Sequence, residues 1–163
     1  MILPLITDKK KLSKKSDDIM ISSIHTSEVQ KLIDNMIDTL SYYSIRLGAR
    51  GIAACQVGVN KNIIVVKKFK LLNKYDTYIN LKVLEEYGKQ NSTEGCLSLP
   101  NVVLMINRPE RIRVSYYDRE GRHYNKLIWG VLARILCHEH DHSDGKTIID
   151  RKVEEIKENE NER

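Results

Sequence analysis

Residues 135–145 read ILCHEHDHSDG, and within them His138, Glu139 and His142 fit the pattern His-Glu-x-x-His. Residues four apart on an α-helix differ by only ~40° in direction, so both imidazoles can grip one metal ion. Glu139 lies ~100° round from His138. From there its carboxylate reaches a water on the ion without being a ligand. His140 sits ~160° from His142 and reads as a surface or hydrogen-bonded histidine. Asp141 reads equally as a carboxylate standing behind the ligands or as a solvated charge. Cys137 points ~100° away from His138, which argues against ligation.

Working outward, this helix is predicted from about Trp129 to His142, with Gly145 as its stop signal. Upstream lie short runs rich in β-formers: 62–66 (NIIVV), 77–84, 102–106 and 111–117. Asp118-Arg119-Glu120-Gly121 reads as a hairpin turn, with a return strand over 124–128. Earlier still, Val29, Leu32, Ile33, Met36, Ile37 and Leu40 recur at helical spacing behind a cap at Thr26 or Ser27. That predicts a core-facing N-terminal helix to about Arg46. Strands between two main helices make an α+β domain. The Lys-rich stretch from Lys9 to Lys15 reads as an exposed loop. Residues from about 152 to 163 read as a charged tail or frayed helix.

A chain of 163 residues, 41% hydrophobic and 30% charged, favours one domain, 1–163, over disorder. The net charge of +5 is read first as a solvated basic surface. Attraction to RNA or a ribosome is the sharper alternative, and no specific nucleic-acid signature accompanies it. Three cysteines, Cys55, Cys96 and Cys137, are too few and too odd for a disulfide framework. They suit a reducing cytoplasm, where Cys55 and Cys137 read as small buried hydrophobes. No run approaches the ~20 apolar residues of a membrane helix, and MILPLITDKKK lacks the order of a signal peptide.

A hydrolytic metal needs a third protein ligand and an open position. One possibility is downstream, at Glu154, Glu155 or Glu158. The other is upstream, in Glu94-Gly95-Cys96-Leu97-Ser98-Leu99-Pro100, where Cys96 offers a thiolate. One thiolate and two imidazoles suit zinc, iron, cobalt or nickel. A non-catalytic, metal-stabilised binding module is a third reading, but it leaves Glu139 without a purpose and lacks a fourth ligand.

EGCLSLP at 94–100 and HEHDH at 138–142 closely resemble the second and third motifs of peptide deformylases. The first motif, written Gly-x-Gly-Leu-Ala-Ala-x-Gln-Val-Gly, is matched by residues 49–58, ARGIAACQVG. The resemblance implies antiparallel β-sheets packed around a central metal-binding helix. It also implies removal of the formyl group from the formyl-methionine of nascent polypeptides, releasing formate. In that reading Cys96, His138 and His142 hold one divalent ion, Fe(II) in most of the family. Zn(II), Ni(II) or Co(II) could replace it. A water on the ion is the nucleophile and Glu139 the general base and acid. Gln56 and the Leu97 backbone N–H stabilise the oxyanion.

Gly51, Ile52 and Gly95, within these motifs, are assigned to substrate binding. A missing Cβ at Gly51 would let an extended nascent chain approach as an added strand. Val131 and Ile135, seven and three residues before His138, line a methionine pocket or simply pack in the core. Arg108 braces the metal helix through a carboxylate or, by default, is a surface arginine. Ala49, Arg50, Cys55, Cys137 and Ser143 depart from the family pattern without removing a ligand, Glu139 or Gln56. Arg50 stands where an apolar residue is usual, beside the approach to the substrate pocket.

Overall fold

The computed structural model describes residues 1–68 and 74–151. Helix α1 (Lys9–Leu12) is followed by α2 (Ser27–Leu47), then strands β1 (Gly51–Ala53), β2 (Ile63–Lys67), β3 (Tyr75–Tyr87), β4 (Gln90–Cys96), β5 (Leu99–Arg108), β6 (Arg111–Tyr117) and β7 (His123–Trp129). Helices α3 (Gly130–Ser143) and α4 (Ile148–Arg151) complete the described chain. β1, β2, β3, β6 and β7 form one antiparallel sheet in that order, and β4 and β5 form a separate hairpin. The expected α+β architecture, with antiparallel sheets around the HEHDH helix and an N-terminal helix, is the one observed. The charged residues 152–163 lie outside the described residues.

β2 shows why 62–66 is an unbroken apolar run. Ile64 and Val66 pack with Ala133, Leu136 and Cys137 of α3, whereas Ile63 and Val65 pack with Ile33, Met36 and Leu40 of α2. A strand covered by a helix on each face has no polar side, so period-two alternation vanishes. β1 obeys the same geometry. Ile52 joins the α2 cluster and Ala53 the α3 cluster, so Gly51, two residues before Ala53, shares the face toward α3. α2 begins where Thr26 Oγ1 accepts from Val29 N–H and ends at Gly48, whose φ is 70°.

The segment 9–15, expected to be a loop, is helical over Lys9–Leu12. Asp8 caps α1, accepting from Lys10 N–H, and Leu12 is fully buried. A single buried leucine is invisible among five lysines. Gly145 explains the anchoring: with φ at 73°, a Cβ there would lie 2.5 Å from the Ser13 carbonyl oxygen. The chain after α1 therefore lies flat against the end of α3, and Ser16 N–H donates to the Ser143 carbonyl at 2.7 Å.

Candidate active site

α3 delivers His138 and His142 side by side, their ring centroids 5.2 Å apart. Cys96 is the last residue of β4, just before the Leu97-Ser98 turn into β5. A register shift between Gly95 and Cys96 brings its thiol inward. Cys96 Sγ is 3.1 Å from His142 Nε2. One ligand atom from each of Cys96, His138 and His142 lies within 4.8 Å of the others. Tetrahedral bonding at ordinary metal–sulfur and metal–nitrogen lengths requires separations of roughly 3.3–3.6 Å, so the donor set fits one ion after small adjustments. The downstream alternatives Glu154, Glu155 and Glu158 lie outside the described residues.

His138 is oriented from behind. Its Nδ1 is 2.9 Å from Glu94 Oε2, which leaves Nε2 for the site. Glu94 is held in turn by Arg108, whose Nε and Nη2 each donate to one carboxylate oxygen at 2.9 Å, and by Ser92 Oγ at 3.0 Å. Burial raises the Glu94 pKa, but the hydrogen bonds from His138 and Arg108 outweigh it and bring it down to about 2. Arg108 Nη1 also donates to Asp141 Oδ2, and Arg151 holds the other Asp141 oxygen at 2.8 Å. Arg108 is therefore not the surface arginine taken as the default. It is only 3% exposed and ties the hairpin to α3. Asp141 is likewise buried. His140 faces elsewhere, 3.7 Å from Asp144, and shares no ligand cluster among the described residues.

Glu139 is 4% exposed, and its Oε2 has no hydrogen-bond partner among the described residues. Burial pushes its pKa up to about 7. Its other oxygen explains Gly51 differently from the expected substrate approach. A Cβ on Gly51 would stand 2.7 Å from Glu139 Oε1 and 2.9 Å from Ile135 Cγ2. Glycine is required because the carboxylate occupies that space.

Gln56 is buried in the short turn after β1. Its Oε1 accepts from Ala53 N–H at 2.9 Å, which fixes the amide plane. Its Nε2 points to Ser98 Oγ at 3.3 Å and toward Cys96 Sγ at 3.8 Å. Ser98 and Glu94 were quoted in the motif without roles of their own; an inward polar residue two positions before the thiol was the signal for Glu94.

A cavity of about 570 Å³ opens over these groups. Gly51, Gln56, Gly95, Cys96, Leu97, Ile135, His138 and Glu139 are on its wall. Two expected substrate contacts are not. The Ile52 side chain is buried on the opposite face of the sheet, against α2. Val131 is 45% exposed at the start of α3. Seven residues separate it from His138, and that places it ~10 Å along the axis. Cys55 and Cys137 are buried thiols, and burial raises both pKa values to about 12.

The sequence profile of the polypeptide deformylase family matches residues 3–159. A peptide deformylase of Thermodesulfovibrio yellowstonii is 40% identical over 142 residues, covering 86% of this chain and 82% of that protein. The crystal structure of the Thermotoga maritima peptide deformylase superposes with a TM-score of 0.83 at 29% identity, covering 94% of this chain and 99% of that one. An Acinetobacter baumannii peptide deformylase crystallised with Met-Ala-Ser superposes equally well, at 0.83 and 25% identity, over 93% of this chain and 98% of that one. Fold, site geometry and these matches agree: the chain belongs to the polypeptide deformylase family and is a hydrolase of the peptide deformylase type.

Proposed function

We propose that this chain removes the formyl group from the N-terminal formyl-methionine of newly made polypeptides and releases formate, using one divalent ion held by Cys96, His138 and His142. The observation that carries the reading is the buried Glu139 carboxylate, with an oxygen unpartnered among the described residues, beside a three-donor cluster of which Cys96 and His138 line the cavity. Fe(II) is the ion the family resemblance favours, with Zn(II), Ni(II) and Co(II) compatible with the same donors. Bound there, such an ion supplies a Lewis acid and lowers the pKa of a water toward neutrality.

The chain's own groups do the rest. Glu139 takes the proton from the attacking water at its free oxygen. It then passes that proton to the nitrogen of the methionine as the formyl carbon–nitrogen bond breaks. A carboxyl with a pKa near neutrality suits both transfers. Gln56 Nε2 and the Leu97 backbone N–H donate to the oxygen of the formyl carbon as it gains charge. The Ala53 N–H holds the Gln56 amide ready, so little reorganisation is needed. Glu94 keeps His138 in one tautomer. Gly51, Gly95 and Ile135 shape the substrate end of the cavity. Substrates of this class place the reaction in the cytoplasm, near the ribosome.

Formate release from a formyl-Met peptide by the Fe(II)-loaded protein under anaerobic conditions tests this. Glu139→Gln should retain the ion and lose the activity. A folded, metal-loaded wild type that releases no formate would refute the reading. A Cys96→Ser variant with unchanged metal stoichiometry and affinity would refute the ligand set.

A further inference from the structure

Residues 9–15 read KKKLSKK, five lysines and no acid. The net charge of the chain is +5, so this one segment holds the whole excess and the remainder is balanced. The structure makes a fixed surface of it. Asp8 spends its carboxylate on the Lys10 and Lys11 backbone N–H groups. Leu12 is fully buried, and the Ser13 carbonyl packs on Gly145. All five lysines are exposed, as is Lys146 beside Gly145. Lys15 pairs with Asp144 at 3.4 Å. Lys9, Lys10, Lys11, Lys14 and Lys146 make no ion pair among the described residues. The next acids along the chain, Asp17 and Asp18, are already answered by Lys61 and Lys82. Unpaired ammonium groups crowded on one anchored turn repel each other and attract a polyanion.

What the patch lacks narrows the polyanion. The one apolar side chain of α1, Leu12, is turned inward, so nothing is left to enter a lipid surface. The segment has no aromatic ring to stack on a base and no arginine to grip a base edge. Lysine is a point charge that suits phosphates in any sequence. We infer that α1 and the lysines around it dock this protein onto the phosphate backbone of RNA without reading its sequence. The inference goes beyond the deformylase reading, and that reading gives it a use: formylated chains emerge from ribosomes, whose surface offers RNA. Patch and cavity are separate. The patch packs on Gly145, beyond the end of α3, while the cavity is walled by the earlier turns that carry Ile135, His138 and Glu139. Among the described residues, none of 8–16 or 143–146 is on the cavity wall.

The test titrates the full chain with a fluorescent RNA hairpin at several salt concentrations. With about four phosphates neutralised, log Kobs should fall against log salt with a slope near −3, which is about sixtyfold between 50 and 200 mM. Replacing Lys9, Lys10, Lys11 and Lys14 together by glutamine should weaken binding at about 100 mM salt at least thirtyfold and flatten the slope to about −1. Leu12 is untouched, so α1 keeps its anchor. Replacing Lys31, Lys74, Lys89 and Lys126, exposed lysines elsewhere, removes the same charge and should change binding less than about twofold. Both variants should release formate from a short formyl-Met peptide as the wild type does, and only the first should stop co-sedimenting with ribosomes. Equal losses in the two variants would show a diffuse charge effect and overturn the inference. Tighter binding to phosphatidylserine vesicles than to the hairpin would also overturn it. Absence of formate from every protein refutes the deformylase reading instead, and the hairpin titration decides the role of α1 separately.

Discussion

Replacing Arg108 with methionine should cost about 3–5 kcal/mol of folding stability, because two buried acids lose one shared cation. The change keeps an unbranched apolar stem and removes the charge. Asp141 retains Arg151 as a partner, so most of the loss falls on Glu94. That carboxyl is held from 4.5 down to about 2, which at about 1.4 kcal/mol per pH unit corresponds to roughly 3 kcal/mol shared between Arg108 and His138. The folded pKa lies below the unfolded one. The stabilisation is therefore complete above pH 4.5 and drains away as the pH falls toward 2. In the variant, Glu94 protonates readily, so its penalty shrinks in the same window. Urea unfolding at pH 7 and at pH 4 measures both quantities. The wild-type advantage should be large at pH 7 and clearly smaller at pH 4. Adding Glu94→Gln to Arg108→Met should recover part of the loss, since no unpaired charge is then buried. A loss under about 1 kcal/mol at pH 7, or one independent of pH, would show that Arg108 does not hold Glu94 as described.

Gly51→Ala should lower kcat at least about a hundredfold with metal content intact, because its Cβ meets the Glu139 carboxylate; normal turnover would show that Glu139 has room to move. Gln56→Leu should lower kcat about 10²–10³-fold with little change in KM, as removal of a positioned oxyanion donor does; an effect confined to KM would place Gln56 in binding instead. Cys55 and Cys137, with pKa values near 12, expose only about one thiolate in ten thousand at pH 8. Alkylation of metal-stripped native protein should therefore label Cys96 alone, and label all three thiols in urea. Two or more labelled thiols in native protein would contradict the burial.

The two long helices were legible, α2 from the apolar stripe Val29 to Leu40 and α3 from the spacing of His138, Glu139 and His142. The strands legible from composition were those covered by apolar neighbours. β1 was not, since three residues buried on both faces offer no alternation. β4 was not either, because its inward residues are Ser92 and Glu94, a polar lining that exists for His138 and Arg108. Spacing along a helix found His138, Glu139 and His142. It put Val131 on the same face, where the residue is 45% exposed and not on the cavity wall. Arg108 depended on partners 14 and 33 residues away, and no local pattern carries that information. The pairing of Gln56 with Ser98 spans 42 residues and is hidden for the same reason.

Among the described residues the β4–β5 hairpin shares no ladder with the five-stranded sheet, yet it contributes one of the three donor side chains proposed to hold the ion. A bound ion is thus a clasp across a chain segment of more than forty residues, the kind of cross-link that removes loop entropy from the unfolded ensemble. Arg108 is a second clasp between the same two pieces. Metal loss should consequently be felt first as local opening of the hairpin, with faster amide exchange at 90–108, while the sheet between α2 and α3 keeps its protection. On the proposed ligand set, loading with metal and organisation of the cavity wall should titrate as one equilibrium.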